Sequence, residues 1–443
     1  MSLISQLTHT LGEECVSSSL PPTVFTGAAD RTPLCVVRPR SFAQVPRVME
    51  VLAQAGAPVS VVGGGHGPRA VVDGVTCLDL RSIPAEVTAG AGTVTVNGSA
   101  RVADLLSTSP ARVVPVGVLP TPGLGLLTLG GVGGLTRSLG LSIDSIESVE
   151  FIDASGQRRV ATADGDADLW FAARGAAAAL GVVSALTMRT HDVPQVFHAR
   201  TVARGASVTA WSHLAPTLPR ATSCSVIVAP ATDGGDAVVL YDVVSREAHD
   251  RDWSLLADDG ELLGAIEWTH AYRDMPAWDV PENPAYRLPD LVNPRWRTVA
   301  SWLDGERTPD VVAAMVDLVR RAPTPWCRLE FQHVGGALGN VSDDASAMFG
   351  RSAEHSAVMT AQWPAAAPAE TKQACLDWVA AMREAAAPAV LGSYATDLVP
   401  GMVGQEAGLR EVFGSNLPRL RTVAEATDPD GRFRCAPPFV RPL

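Results

Sequence analysis

Two glycine clusters constrain this 443-residue chain more than any other feature. The first, Gly63-Gly64-Gly65-His66-Gly67, follows directly on the apolar run Val59 to Val62. The second opens as Pro120-Thr121-Pro122-Gly123-Leu124-Gly125 and continues as Thr128-Leu129-Gly130-Gly131-Val132-Gly133-Gly134, six glycines in the twelve residues from Gly123. Ordering glycine costs more backbone entropy than ordering any other residue, so such runs persist where a close main-chain approach needs them. After a strand they let N–H groups close on an anion with no Cβ in the way. Glycines on both sides of His66 leave its imidazole accessible. Val113 to Leu135 is the most apolar stretch, but Pro115, Pro120, Pro122 and the glycines break it. A lipid-exposed helix needs about 20 uninterrupted apolar residues, so a run of turns in a soluble protein is expected instead. The nucleotide-binding Gly-x-Gly-x-x-Gly spacing also fails, because Thr128 stands where the last glycine belongs. A loop that wraps a pyrophosphate remains.

Around these clusters the chain alternates short strands and helices. Leu34 to Arg38, Val59 to Val62, Thr76 to Leu80, Thr93 to Val96, Ser145 to Ile152, Arg158 to Ala161 and Val182 to Arg189 read as strands. Ser41 can cap a helix ending near Ala55, and Ala100 to Ser107 and Asp168 to Ala173 read as short helices. Composition changes near Pro194, and seven of the ten tryptophans lie from Trp211 to Trp326. In this second half Ser225 to Val228, Ala237 to Val243, Arg328 to Val334 and Ser356 to Gln362 read as strands. Pro309 to Arg321, capped by Thr308, and Thr371 to Ala386 read as helices, and one more helix is expected from Leu409 to Val423. The fold class is α+β, with residues 1–195, 196–392 and 393–443 as the units.

Hydrophobic residues make up 47% of the chain and the formal charge is −12. The first excludes a disordered chain, and the second disfavours nucleic acid or an anionic membrane as partner. No basic start leads into an apolar run at the N-terminus, so no signal peptide is expected. The seven cysteines are widely spaced without a Cys-x-x-Cys pair, which argues against a disulfide framework or a zinc site and for free thiols in the cytoplasm. Lys372 is the single lysine and so the one Schiff-base candidate. No metal site is expected. The expected partner is a small-molecule substrate, and a monomer or homodimer is the expected state.

Several motifs occur together and in order: Val61 to Gly67, Pro120 to Gly134, Gly140-Leu-Ser-Ile-Asp144, Asp168-Leu-Trp-Phe-Ala-Ala-Arg-Gly175, Gly181-Val-Val183, His333-Val-Gly-Gly-Ala337 with Arg351, and Asp428-Pro-Asp-Gly-Arg-Phe433. This set resembles the berberine-bridge-enzyme-like, vanillyl-alcohol-oxidase-type flavoproteins over nearly all of residues 30 to 435. The resemblance implies a two-lobed PCMH-type FAD-binding domain with a substrate domain of antiparallel sheet backed by helices. The C-terminal segment 393–443 would return to the FAD domain. It implies FAD as cofactor, held by Gly63, Gly64, Gly65, His66, Gly67, Pro120, Thr121, Gly123, Thr128, Gly130, Gly131, Gly133, Gly134, Gly181 and Val183. His66 matches the histidine that bonds covalently to the flavin. The position of the family's second, cysteinyl link is Leu119, so a single covalent bond is implied.

The implied reaction is hydride removal from a small organic substrate in bacterial secondary metabolism, with O2 as acceptor. Tyr394 and Asp397 stand where the family places proton-transfer groups. Gln332 stands where relatives often carry a glutamate; an amide cannot act as a base but can orient a substrate oxygen. In the strand from Arg328, the side chains of Arg328, Glu330 and Gln332 share one face, the expected lining of a cavity or else a solvent face. Arg295-Trp296-Arg297 and Trp302 match a substrate-domain segment. His191, His198, His213, His249, His270 and His355 lack ligand spacing and read as surface or structural histidines. Ala176 to Leu180 replaces a glycine-rich run of the family, and Thr396 replaces an asparagine. These departures motivate the alternative of a redox-neutral cyclase using FAD as scaffold. The remaining alternative is a degenerate binding protein without flavin.

Overall fold

The computed structural model describes residues 1–19, 31–67, 69–108, 111–117, 119–247, 251–257, 259–275, 294–395 and 406–434. The chain opens with α1 (Leu3–Leu11), β1 (Val16–Ser17), β2 (Cys35–Val37), α2 (Val45–Gln54), β3 (Val59–Val62) and β4 (Thr76–Asp79). The strands form one sheet in the order β1-β2-β4-β3, with β2 and β3 both parallel to β4. Parallel neighbours need a crossover, and α2 supplies it. Its Val45, Val48, Met49 and Leu52 recur at helical spacing and are all buried against the sheet. Ser41 precedes a 3-10 turn ahead of α2 and makes no side-chain cap bond, so the expected cap is corrected.

Next come β5 (Val87–Ala89), β6 (Thr93–Asn97), α3 (Val102–Leu106), β7 (Arg112–Val113), α4 (Leu124–Leu129), α5 (Thr136–Leu139), β8 (Ile146–Ile152), β9 (Arg158–Thr162), α6 (Ala167–Ala176), β10 (Val182–Arg189) and β11 (His191–Asp192). An antiparallel sheet runs β5-β6-β10-β8-β9, and β7 pairs with β11. The second glycine cluster is not wholly turns. Leu124, Leu127 and Thr128 are buried along one side of α4, which places a helix between the two halves of the glycine run.

The remaining lobe is built on an eight-stranded antiparallel sheet. Its strands are β12 (Val196–Arg204), β13 (Thr222–Ala229), β14 (Val238–Ser245), β15 (Glu261–His270), β16 (Pro294–Leu303), β17 (Arg328–His333), β18 (His355–Pro364) and β19 (Val390–Ser393), in the order β15-β12-β14-β13-β17-β18-β16-β19. The helices α7 (Val208–Leu214), α8 (Thr308–Arg320) and α9 (Ala369–Ala386) cover one face, onto which Cys224, Val226, Tyr241, Leu329, Phe331, Ala357 and Met359 point. Thr308 is the first residue of α8 rather than its cap, and its hydroxyl donates to the Asp304 carbonyl.

β13 and β14 are buried along their whole length, which requires cover on the second face as well. The first lobe supplies part of that cover: Ala300, Trp302 and Tyr394 share a core with α4, α6 and β10, and Val196 and Val244 share another with Val113 and Leu135.

The expected last helix is two helices, α10 (Glu406–Phe413) and α11 (Leu417–Thr427). Gly414 between them has φ 50°, and a Cβ there would meet the Phe349 ring at 2.6 Å. Beyond α11, Asp428 accepts the N–H groups of Arg432 and Phe433, and Arg434 N donates to Val59 O. The segment therefore lies along β3, the strand that feeds the first glycine cluster.

Candidate active site

β3 ends at Val62, and the chain turns at once into Gly63 to Gly67. Gly65 has φ 77°, a conformation that glycine adopts without strain. A Cβ on Gly64 would lie 2.3 Å from Gly123 N, and one on Gly123 would lie 2.5 Å from Gly64 N. The two glycine clusters thus touch backbone to backbone, and only glycine permits it. Beside the contact, His66 Nε2 lies 2.9 Å from Thr121 Oγ1. Burial, helped by the charge of Arg101, pushes the His66 imidazole down to about 4. At neutral pH it is an uncharged ring.

Gly63 and Gly67 differ from Gly64. Among the described residues, a Cβ at either would meet nothing within 4 Å, and the same holds at Gly125. Open space thus flanks the touching pair, in front of the main-chain amides that bracket a neutral imidazole. This is a cradle that fits an FAD diphosphate and ring edge. The other glycines have protein neighbours instead. A Cβ on Gly131 would meet Ser142 Oγ at 2.0 Å, on Gly133 the Val116 carbonyl oxygen at 2.2 Å, and on Gly181 the Ile152 carbonyl oxygen at 2.4 Å. Thr128 Oγ1 donates within its own helix to the Leu124 carbonyl. Val183 O closes on Gly98, where a Cβ would sit 1.9 Å from it. Pro120 and Pro122 accept through their carbonyls from Ala103 N and Val102 N, which ties the loop to α3. Leu119, at the second-link position, is exposed.

Gly130 to Gly134 runs under the large sheet and is fastened to it at both ends. Tyr394 OH accepts from Gly131 N at 2.7 Å, and a Cβ on Gly130 would meet the Tyr394 ring. At the other end Tyr272 OH accepts from Gly134 N and donates to Val116 O, while Ser223 Oγ donates to Gly134 O at 2.9 Å. Val244 of β14 packs on Gly134.

Above the loop, one row of side chains crosses the sheet on the face away from the helices. Arg200 pairs with Asp242, and Asp242 with Ser225. Val226 pairs with Phe331, which sets Ser225 beside Gln332; Gln332 pairs with Ser356, and Ser356 with Trp302. Trp302 carries the Tyr394 ring at 4.8 Å. Gln332 is half-buried, so it lies on a lined face rather than a solvent face. Arg328 Nε donates to Glu330 at 2.6 Å on the same strand face. Gln332 and Tyr394 are thus brought to one end of one surface, whereas Asp397 and Thr396 lie outside the described residues. The alanine run is absorbed by packing: Ala176, Ala177, Ala179 and Leu180 are buried in the core around α4, so their methyl groups fill protein space.

Two groups of side chains escaped the sequence reading. Arg137 of α5 reaches into the second lobe, where Nε donates to Thr222 O, a terminal nitrogen to Leu218 O, and the other to Glu354 Oε1 at 2.5 Å. His333 Nε2 lies 2.8 Å from the same Oε1, and His333 Nδ1 accepts from Cys224 N. His198 and His355, read as surface or structural, are both fully buried. His198 joins Asp242 and His270. His333 lay in a motif already singled out, but nothing in the spacing of the other residues marked them, because they meet only across strands and lobes. Among the described residues, no group of three or more His, Cys, Asp or Glu could hold a metal ion, and no helix is long and apolar enough to cross a membrane.

Residues 33–162 match the family model of an FAD binding domain. The matched span runs from β2 through both glycine clusters. The chain therefore carries an FAD binding domain and shares the fold of BBE-like proteins. An FAD-linked oxidoreductase of Dictyostelium discoideum is 23% identical over 380 residues, covering 82% of this chain and 80% of the relative. The wild-type BBE-like 1 of Physcomitrella patens shares the fold with a TM-score of 0.78, 20% identity and full coverage of both chains. A chitooligosaccharide oxidase superposes with a TM-score of 0.81 at 18% identity, over 100% of this chain and 99% of that one. The two-lobed α+β architecture is therefore the one its motifs implied.

Proposed function

We propose that this oxidoreductase removes two electrons and a proton from an alcohol or amine carbon of a small organic substrate, with O2 as final acceptor and hydrogen peroxide as product. The observation that carries the reading is His66. A neutral imidazole stands at the contact of the two glycine clusters, with open space on both sides. Gly63 to Gly67 and Thr121 would hold FAD, which when bound supplies the two-electron acceptor.

The chain's own residues do the rest. The uncharged His66 nitrogen has the lone pair that a single covalent link to FAD requires. Leu119 cannot make a second link. Gln332 offers amide donors and an acceptor to fix a substrate oxygen or nitrogen. The Gly131 N–H donates to the Tyr394 phenol oxygen, which keeps that hydroxyl at the same end of the surface and stabilises negative charge developing on it. Asp397 is assigned the proton-acceptor role with Tyr394. Among similar proteins, one is named (R)-6-hydroxynicotine oxidase and one a pollen allergen with glucose dehydrogenase activity. These names support donors that carry a hydroxyl or amine on the carbon oxidised.

Acid precipitation followed by a flavin fluorescence gel tests the attachment. Fluorescence should stay with the polypeptide and vanish in His66→Ala. Flavin released to the supernatant from wild type would sink the covalent link. Anaerobic mixing with a panel of sugars, alcohols and amines should bleach the flavin band for the true donor class. Product formation without bleaching would turn the assignment to a redox-neutral reaction.

A further inference from the structure

A cation stands beside the cradle without a partner of its own. Arg101 directly precedes α3 and pairs with Gly123 in an isolated antiparallel bridge. The Cα atoms of residues paired in this way lie about 5 Å apart. Gly123 in turn touches Gly64, where a Cβ on either glycine would meet the other's nitrogen within 2.5 Å. Arg101 is therefore one backbone segment away from the first glycine cluster. The next two residues fix the same register: Val102 N donates to Pro122 O at 3.0 Å and Ala103 N to Pro120 O at 3.1 Å. Thr121, between those two carbonyls, is the residue whose hydroxyl meets His66.

The main chain of Arg101 is engaged on both sides. Its N donates to Asp104 Oδ2 at 2.8 Å, and its O accepts from Asp104 N. Its guanidinium makes no hydrogen bond or ion pair among the described residues, although the residue is half-buried. Withdrawing a guanidinium from water without a partner is unfavourable, so this position calls for an anion. Arg69, which follows the first cluster, is by contrast held, its Nε donating to Arg434 O at 3.0 Å.

The charge of Arg101 reaches the cradle, because with burial it keeps the His66 ring neutral. Space is at hand as well. A Cβ on Gly125, two residues past the bridge, would meet none of the described residues within 4 Å. The permanent negative charge of FAD lies on its diphosphate, whereas the oxidised ring is neutral. Main-chain amides offer a diphosphate only partial charges. A guanidinium adds a full one, on a planar fork that fits two phosphate oxygens at once.

We propose that Arg101 is the countercharge of the cofactor site, its guanidinium pairing with the FAD diphosphate that the Gly63 to Gly67 amides hold, a role that rests on the FAD reading above. The pair anchors FAD by charge, before the His66 link forms and independently of it.

Reversible FAD binding to the full chain carrying His66→Ala tests this. Adding Arg101→Gln should weaken FAD roughly tenfold to a hundredfold, as expected for one charged hydrogen-bonded pair, and should flatten the loss of affinity with salt. Arg101→Lys should recover part of the affinity, because it restores the charge but not the fork. Phosphorus-31 spectra of the FAD-loaded chains should show the diphosphate signals displaced by Arg101→Gln. The Tm of the FAD-free chain should not change, since the guanidinium holds no described residue. Equal FAD affinity with and without Arg101→Gln would overturn the pairing. So would a lowered Tm of the FAD-free variant, which would make Arg101 a packing residue. Unmoved phosphorus signals with a lowered flavin midpoint potential would turn the charge toward the ring and overturn it too. A wild-type chain that takes up no FAD would instead overturn the functional reading, and the pairing with it.

Discussion

The phenol oxygen of Tyr394 accepts the main-chain N–H of Gly131 at 2.7 Å, so the end of β19 in one lobe clamps the second glycine cluster in the other. Tyr394→Phe keeps the ring on Trp302 but leaves a buried N–H unpaired, a loss of ~1–3 kcal/mol. We expect a lower Tm and less FAD incorporated per chain, with unchanged far-UV circular dichroism. A variant equal to wild type in both measurements would remove the clamp from consideration.

Gly63 and Gly64 are neighbours with opposite surroundings. Gly64→Ala drives a methyl group into Gly123 N, main chain against main chain, so the clusters must part. Both Tm and FAD binding should fall. Gly63→Ala meets no atom of the described residues within 4 Å, so Tm of the FAD-free protein should hold while FAD affinity drops roughly tenfold or more, about 1.4 kcal/mol. Unchanged FAD affinity in Gly63→Ala would place the cofactor elsewhere.

Arg137 links the lobes through Thr222, Leu218 and Glu354. Arg137→Ala leaves the Glu354 carboxylate without its guanidinium and two carbonyls without a donor, a cost of ~3–5 kcal/mol for breaking a buried pair. Denaturant unfolding should show the unfolding free energy lowered by that amount. Arg137→Lys should recover little, because one ammonium cannot serve three acceptors spread over a planar fork. Full recovery by lysine would reduce the residue to a simple charge.

Acid should destabilise the fold in a defined window. Burial pushes His66, His191 and His333 each down to about 4, from an ordinary 6.5. These rings are neutral when folded but protonate near 6.5 when unfolded. Their contribution is therefore complete above pH 6.5 and is lost as pH falls through 4. Burial opposes the shift at Glu354, but the His333 hydrogen bond and the charges of His333 and Arg137 still hold it at about 2, so its share is lost from about 4.5 down to 2. Tm should decline steadily below pH 6.5, with a shallower slope in His66→Gln. A Tm flat from pH 7 to 4.5 would contradict this account.

The local elements were legible from the chain because their causes are local. Val45, Val48, Met49 and Leu52 write a helix by spacing alone, and Val59 to Val62 followed by glycines writes a strand and a close turn. The glycine clusters announced main-chain crowding, yet not its object. Gly64 is there for Gly123 and Gly131 for Ser142, whereas Gly63 and Gly67 face open space, and nothing in the order of residues separates these cases. α4 was hidden because glycine masks a stripe whose stability comes from burial, not propensity. By itself, then, the sequence determined the fold class, the helices and strands whose apolar periods are strong, and the FAD-binding motifs. Only the tertiary structure decided which polar groups meet. Arg137 and Glu354 stand far apart in the chain, as do His198 and Asp242. Pairs of this kind are chosen by strand register and by lobe packing, which depend on the whole core at once rather than on any local spacing.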